Sequence, residues 1–102
     1  TVSPIRHMSD GAHANQLSKS TLLLALDSLS EHPSVDYFPA YEIVLDELRD
    51  YRFYAEDMAH PSQQTVDYLW ERFCDFAVPS CEMEALRKNI KAYRRSQHRP
   101  LH

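Results

Sequence analysis

The stretch His32-Pro33-Ser34-Val35-Asp36-Tyr37-Phe38-Pro39 decides how the whole chain is read. His32, Pro33 and Ser34 stop the helix-patterned segment before them, and Val35 to Phe38 is a short β-branched and aromatic run closed by a second proline. Such a run reads as a strand. Thr1-Val2-Ser3-Pro4 reads as the last residues of another strand, one that begins before the chain does, because Thr and Val are β-branched and Pro4 ends any ladder. Between the two, Ile5 to Gln16 is polar and reads as a loop. From Leu17 to Glu31 the residues Leu22, Leu23, Leu26 and Leu29 keep the helical period, with Leu24 and Ala25 widening the stripe, so a largely buried helix is predicted.

Strand, helix, strand, helix is the rhythm of an α/β protein with a parallel sheet. A single complete strand and the stub of another cannot build such a sheet, whose faces and edges both need cover. The expectation is therefore that the chain forms the C-terminal portion of a larger α/β domain, or takes strands from another copy.

Beyond Pro39, Tyr41, Val44, Leu45 and Leu48 predict a short helix, with Glu42 near its start and Arg49 near its end, as the helix dipole prefers. Tyr51 to His60 is aromatic and acidic without a period. Ser62 is a good N-cap for a helix whose Val66, Leu69, Trp70, Phe73, Phe76 and Ala77 fall on one face, and these aromatic residues read as core. After Pro79 and Ser80 a last helix carries a narrow stripe of Met83, Leu86, Ile90 and Tyr93 on a charged cylinder, fraying by about Ser96. Residues 1–78 and 79–102 are accordingly read as a domain portion and a basic helical tail.

Composition limits the functions available. The 102 residues are 43% hydrophobic and 25% charged, which fits one ordinary globular domain at most. Gly11 is the only glycine, and this excludes both phosphate-binding Gly-rich loops and the dinucleotide fingerprint. Cys74 and Cys81 match no zinc spacing and read as reduced thiols. The longest apolar run, Leu22 to Leu26, is five residues, against about 20 for a membrane span. A soluble, cytoplasmic protein without a cofactor is expected. Residues 1–81 carry 13 acids and five bases, whereas residues 82–102 carry two acids and six bases. The basic end fits a solvated helix with cations toward its C-terminus, and no aromatic interleaving or recognition motif points to nucleic acid.

The segment Asp57-Met58-Ala59-His60 is the most suggestive for chemistry. An acid three residues before a histidine, in a turn, lets the carboxylate take the Nδ1 proton and leaves Nε2 free as a general base. This is the acid and base half of a serine-hydrolase triad. The same spacing also serves as a surface ion pair or a cap at a helix start. Arg6 and His7, just past the first strand end, are candidates for binding an anionic substrate. Arg49, Asp50, Arg52 and Glu56 read as ion pairs holding the loop before Asp57. His7, His13, Asp57 and His60 follow no metal-ligand spacing, and adjacent Ser18 and Lys19 diverge too far around a helix to cooperate.

Several long segments occur in one order: Thr1-Val2-Ser3-Pro4-Ile5-Arg6-His7, Asn15-Gln16-Leu17-Ser18-Lys19, Tyr37-Phe38-Pro39-Ala40-Tyr41-Glu42, and Asp46-Glu47-Leu48-Arg49-Asp50-Tyr51-Arg52-Phe53-Tyr54-Ala55-Glu56-Asp57-Met58-Ala59-His60-Pro61-Ser62. Together they resemble the GSCFA domain family over roughly residues 1–78. The family looks like a bacterial branch of the SGNH, or GDSL-like, hydrolases, and the resemblance implies a three-layer α/β/α fold. It also implies a serine near the domain's start that attacks an ester, with Asp57 and His60 completing the triad. The family is named for a Gly-Ser-Cys-Phe-Ala motif that this chain lacks, since its glycine is followed by Ala12. The implied role is thus the final part of a serine esterase acting on a small ester such as an O-acyl carbohydrate, with its nucleophile upstream of Thr1. An upstream segment or an oligomer would complete the sheet, and no nucleic-acid or membrane partner is implied. The competing reading is a noncatalytic helical interaction module, in which Asp57 to His60 only caps a helix.

Overall fold

The computed structural model describes residues 1–98, which fall into two compact units, Thr1–Trp70 and the residues from Glu71 onward. Among the described residues there is no strand and no sheet, and 67% are helical. The α/β expectation, and with it the three-layer α/β/α arrangement, is corrected to an all-helical chain. Its only β feature among these residues is an isolated antiparallel bridge between Tyr54 and Pro61.

The reason lies in where the backbone groups of the two expected strands go. Every buried carbonyl and N–H needs a partner, and in the first segment side chains supply them. The Ser3 carbonyl accepts from Lys19 Nζ at 2.7 Å, and the Pro4 carbonyl accepts from the Tyr54 hydroxyl at 3.3 Å. Thr1 Oγ1 accepts from the Ala40 N–H at 3.3 Å. Around Val35 to Phe38 the bonds are local turns: Val35 N–H to the His32 carbonyl, and Ala40 N–H to the Phe38 carbonyl, each at 3.0 Å. A β-favouring composition has no ladder to join here.

Helix α1 (Ala12–Leu29) starts five residues before the predicted Leu17, behind a short 3₁₀ turn at Met8–Asp10. Gly11, at φ 84°, makes the corner between them, a conformation that a residue with a Cβ adopts only with strain. The buried residues of α1 are Asn15 and Lys19. Leu17, Leu22, Leu24 and Leu29 stay 48–73% exposed, so the expected burial of this leucine-rich helix is also corrected. Helical period alone does not choose the inward face. Lys19 and Asn15 turn inward because the Ser3 carbonyl and the His7 N–H, which bonds Asn15 Oδ1 at 2.8 Å, take them as partners.

Helix α2 (Ala40–Glu42) runs on into a π-helical stretch, Ile43–Leu48, whose wide turn is closed by the Arg49 N–H to the Val44 carbonyl at 3.1 Å. The core of the first unit gathers here from Val2, Ala40, Tyr41, Ile43, Val44 and Tyr54. The Tyr41 hydroxyl bonds Gln16 Oε1 at 2.8 Å, tying α2 to α1.

Helix α3 (Gln63–Ala77) begins where Ser62 predicts it. Ser62 Oγ accepts from the Thr65 N–H at 3.3 Å, and fully buried Thr65 donates from its hydroxyl to the Phe53 carbonyl at 2.6 Å. Its start is thus pinned to the loop before it. Val66, Trp70, Phe73 and Phe76, expected in the core, are all more than a third exposed, whereas Cys74 is buried. In the second unit a 3₁₀ turn at Ser80–Glu82 leads into α4 (Met83–Gln97), which has no buried residue, as a helix with one narrow apolar stripe requires. Arg99, counted in the basic tail, lies outside the described residues.

Candidate functional site

The loop from Tyr54 to Pro61 is built almost wholly from its own hydrogen bonds. The Tyr54–Pro61 bridge closes its base, the Ala55 N–H bonds the His60 carbonyl at 2.7 Å, and the Met58 N–H bonds the Ala55 carbonyl at 2.9 Å. Met58 sits at φ 61°, a left-handed conformation rare for a side chain of its size. Asp57 organises the tip. Its Oδ1 accepts from the N–H groups of Ala59 and His60 at 2.9 and 3.0 Å, while Oδ2 lies 2.5 Å from His60 Nδ1.

These bonds fix the charge of the carboxyl. The His60 N–H first, then the Ala59 N–H and the His60 ring, hold Asp57 at a pKa of about 2, although the side chain is open to solvent. Ionised at any ordinary pH, it only accepts. The proton in the 2.5 Å contact is therefore on Nδ1, and in neutral His60 the lone pair is on Nε2. Nε2 bonds no described residue, and the His60 side chain that carries it is 62% exposed. The arrangement can take a proton from a group placed against it and return one to a leaving atom.

Of the other predicted residues, Arg6 is brought to this loop and His7 is not engaged by its ring. The Arg6 N–H donates to the Ala59 carbonyl at 3.0 Å, and its guanidinium lies over Tyr51 and Tyr54, 5.3 and 5.8 Å from the ring centroids. His7 is exposed and held through its main chain alone, its N–H on Asn15 Oδ1 and its carbonyl accepting from the Asp10 N–H. Of the expected ion pairs, Arg52 Nε with Asp50 Oδ2 forms at 3.7 Å, and Arg52 also stacks on Phe53. Arg49 instead lines a cavity of about 180 Å³ together with Arg6, Val44, Leu45, Asp50, Tyr51 and Tyr54. Sequence reasoning missed the two tyrosines, and the aromatic character of the segment was the signal that could have found them. Among the described residues no three of His, Cys, Asp or Glu gather as metal ligands. Likewise, no helix there is long and apolar enough to cross a membrane.

The family profile of the GSCFA family matches residues 1–73, which includes this loop, the cavity and the start of α3. The chain belongs to the GSCFA family. No curated protein and no solved structure matches it.

Proposed function

We propose that the chain supplies the acid–base half of a serine-type ester hydrolase. Membership of the GSCFA family supports this reading through the family's likeness to the SGNH hydrolases. The single observation that carries it is the 2.5 Å contact between Asp57 Oδ2 and His60 Nδ1 in a loop locked by four further hydrogen bonds. His60 Nε2 takes the proton of a serine hydroxyl as its oxygen attacks the ester carbonyl, then gives that proton to the departing alcohol. Asp57 positions the ring and stabilises the imidazolium formed in between. The serine is the one in the Gly-Ser-Cys-Phe-Ala segment that names the family, and the substrate is a small ester such as an O-acyl carbohydrate. Arg6 and His7 are the residues assigned to an anionic part of that substrate, Arg6 being the one bonded to the residue before His60.

The exposed leucines of α1 favour a second reading, a noncatalytic helical interaction module. One experiment separates them: a fluorophosphonate probe applied to protein that carries both this chain and the Gly-Ser-Cys-Phe-Ala segment. The hydrolase reading expects labelling of that serine, slowed by orders of magnitude in His60→Ala. Labelling that is absent, or indifferent to His60, supports the module instead.

A further inference from the structure

The cavity beside the Asp57–His60 loop has a charge pattern that neither residue explains. Its lining holds two guanidiniums, Arg6 and Arg49, and among the described residues neither pairs with a carboxylate. Asp50, the carboxylate in the lining, is already answered: Oδ1 accepts from the Arg52 N–H at 2.9 Å, and Oδ2 faces Arg52 Nε at 3.7 Å. The cavity therefore keeps two uncompensated cations.

Both arginines are held in place. Arg6 is fixed at its main chain by Ala59, and its guanidinium lies over Tyr51 and Tyr54, whose rings are 6.1 Å apart at 45°. Tyr54 is anchored in turn by its hydroxyl on the Pro4 carbonyl. Held against the two tyrosines, the guanidinium carries a planar fork of N–H donors that matches a carboxylate or phosphate. Arg49 stands at φ 60°, where the π-helical stretch ends. Together with Met58 it is one of the two non-glycine residues with positive φ among those described, and one borders the cavity while the other sits in the loop beside it. Backbone of this kind collects at ligand sites, and a π-helical turn does so too. At about 180 Å³ the cavity falls below the roughly 300 Å³ at which pockets for whole drug-sized ligands begin, so it fits a headgroup.

We propose that Arg6 and Arg49, walled by Tyr51 and Tyr54, form a pocket for a compact oxyanion, a carboxylate or phosphate, and that the ester served by Asp57 and His60 carries such a group. The second half rests on the hydrolase reading above; the pocket itself does not. The main-chain bond from Arg6 to Ala59, the residue preceding His60, makes the pocket and the loop that carries the reacting ring one piece of structure.

The test begins with binding. The ¹⁵N-labelled chain is titrated at constant ionic strength with inorganic phosphate, with acetate and with neutral acetamide. Phosphate and acetate are expected to give saturable shifts at the amides of Arg6, Arg49, Tyr51 and Tyr54, and acetamide none. Arg49→Gln, on an exposed side chain that supports no other described residue, weakens binding about tenfold, as does Arg6→Gln, the scale of a lost charged hydrogen bond. Lys88→Gln, on α4 and outside the lining, leaves binding unchanged. Shifts that do not saturate, or that centre on Lys88, Lys91 and Arg94 of α4, overturn the pocket. A second arm uses the protein with the Gly-Ser-Cys-Phe-Ala segment and compares the hemisuccinate of an alcohol with the neutral methyl succinate of the same alcohol, in which the free carboxylate is esterified. Arg49→Gln is expected to cut the preference for the anionic ester about tenfold through KM. Oxyanion binding without any hydrolysis keeps the pocket and removes the hydrolase reading, whereas hydrolysis indifferent to substrate charge removes the pocket's role and keeps the hydrolase.

Discussion

The main-chain N–H of Arg6 donates to the carbonyl of Ala59 at 3.0 Å, so the segment at the start of the chain and the loop that ends in His60 are one piece of structure. Three further contacts strengthen that junction: Lys19 holds Ser3, Tyr54 holds Pro4, and Asn15 holds His7. The polar inward face of α1 thus sets where Arg6 stands, and Arg6 lies over the tyrosines that precede the Asp57 loop. Sequence-distant residues meet through one main-chain bond and through side-chain bonds to backbone carbonyls and N–H groups, without a sheet among the described residues.

Lys19 is the most consequential of these supports for stability. It is 2% exposed, burial pushes its ammonium below the usual lysine range, and its Nζ answers the Ser3 carbonyl at 2.7 Å. Lys19→Met keeps most of the volume but leaves that carbonyl without its donor. A loss of about 1–3 kcal/mol is expected, the scale of a buried group left unpaired. Thermal and urea melts of the variant check it, and an unchanged midpoint would show that the Ser3 carbonyl finds another partner.

Much of this was readable beforehand and some was not, for identifiable reasons. Ser62 announces α3 because an N-cap acts locally, and Asp57 with His60 announces their contact because a three-residue turn leaves the side chains little choice. The leucines of α1 have a clear period, but inward direction depends on the unpaired groups at Ser3 and His7, which lie outside the helix. Val35 to Phe38 has strand composition, yet a strand exists only with a partner for its ladder. The cavity beside Arg6 depends on the left-handed turn at Arg49, and no residue type there signals it.

Leu24 gives the reverse of the Lys19 prediction. At 73% exposed it contributes little packing, and Leu24→Gln should move stability by no more than about 0.5 kcal/mol. Val44→Ala, at a position 1% exposed, should cost about 1–3 kcal/mol by lost burial and the cavity left behind. Leu24→Gln should also lower any concentration-dependent association seen by sedimentation velocity, since an exposed leucine favours contact with other apolar surfaces. A destabilisation by Leu24→Gln as large as that of Val44→Ala would mean that the residue is covered in solution.

The Asp57 loop should respond to acid within a defined window. Its carboxyl is depressed from 3.8 to about 2, so the native state favours the ionised form. The stabilisation it gives is fully present above the unfolded value, falls as pH drops below about 4, and is gone below about 2. A ¹³C-detected titration of the side-chain carboxyl should place its midpoint near 2, with the Ala59 and His60 amide shifts following the same curve. In the active protein, an acid limb of the rate profile above pH 4 then belongs to a group other than Asp57. A midpoint at the ordinary aspartate value would show that the backbone bonds do not persist in solution.

Asp57→Asn and Asp57→Ala divide the two roles of that carboxylate. Asparagine keeps an oxygen to accept the Ala59 and His60 N–H groups, so the loop survives, but it can turn an NH₂ toward Nδ1. The ring then favours the Nε2–H tautomer, and the lone pair that removes the serine proton is lost. The rate should fall by about three to four orders of magnitude, with the melting midpoint nearly unchanged. Alanine removes both the ring's partner and the oxygen that accepts from the two backbone N–H groups. Its rate should fall as far or further, while the Ala59 and His60 amides lose hydrogen-exchange protection because nothing closes the tip. Steady-state kinetics, a thermal melt and amide exchange on both variants make the comparison. If Asp57→Asn retains normal activity while Asp57→Ala only loosens the loop, the carboxylate is a turn cap, and the 2.5 Å contact with His60 serves the fold of the loop.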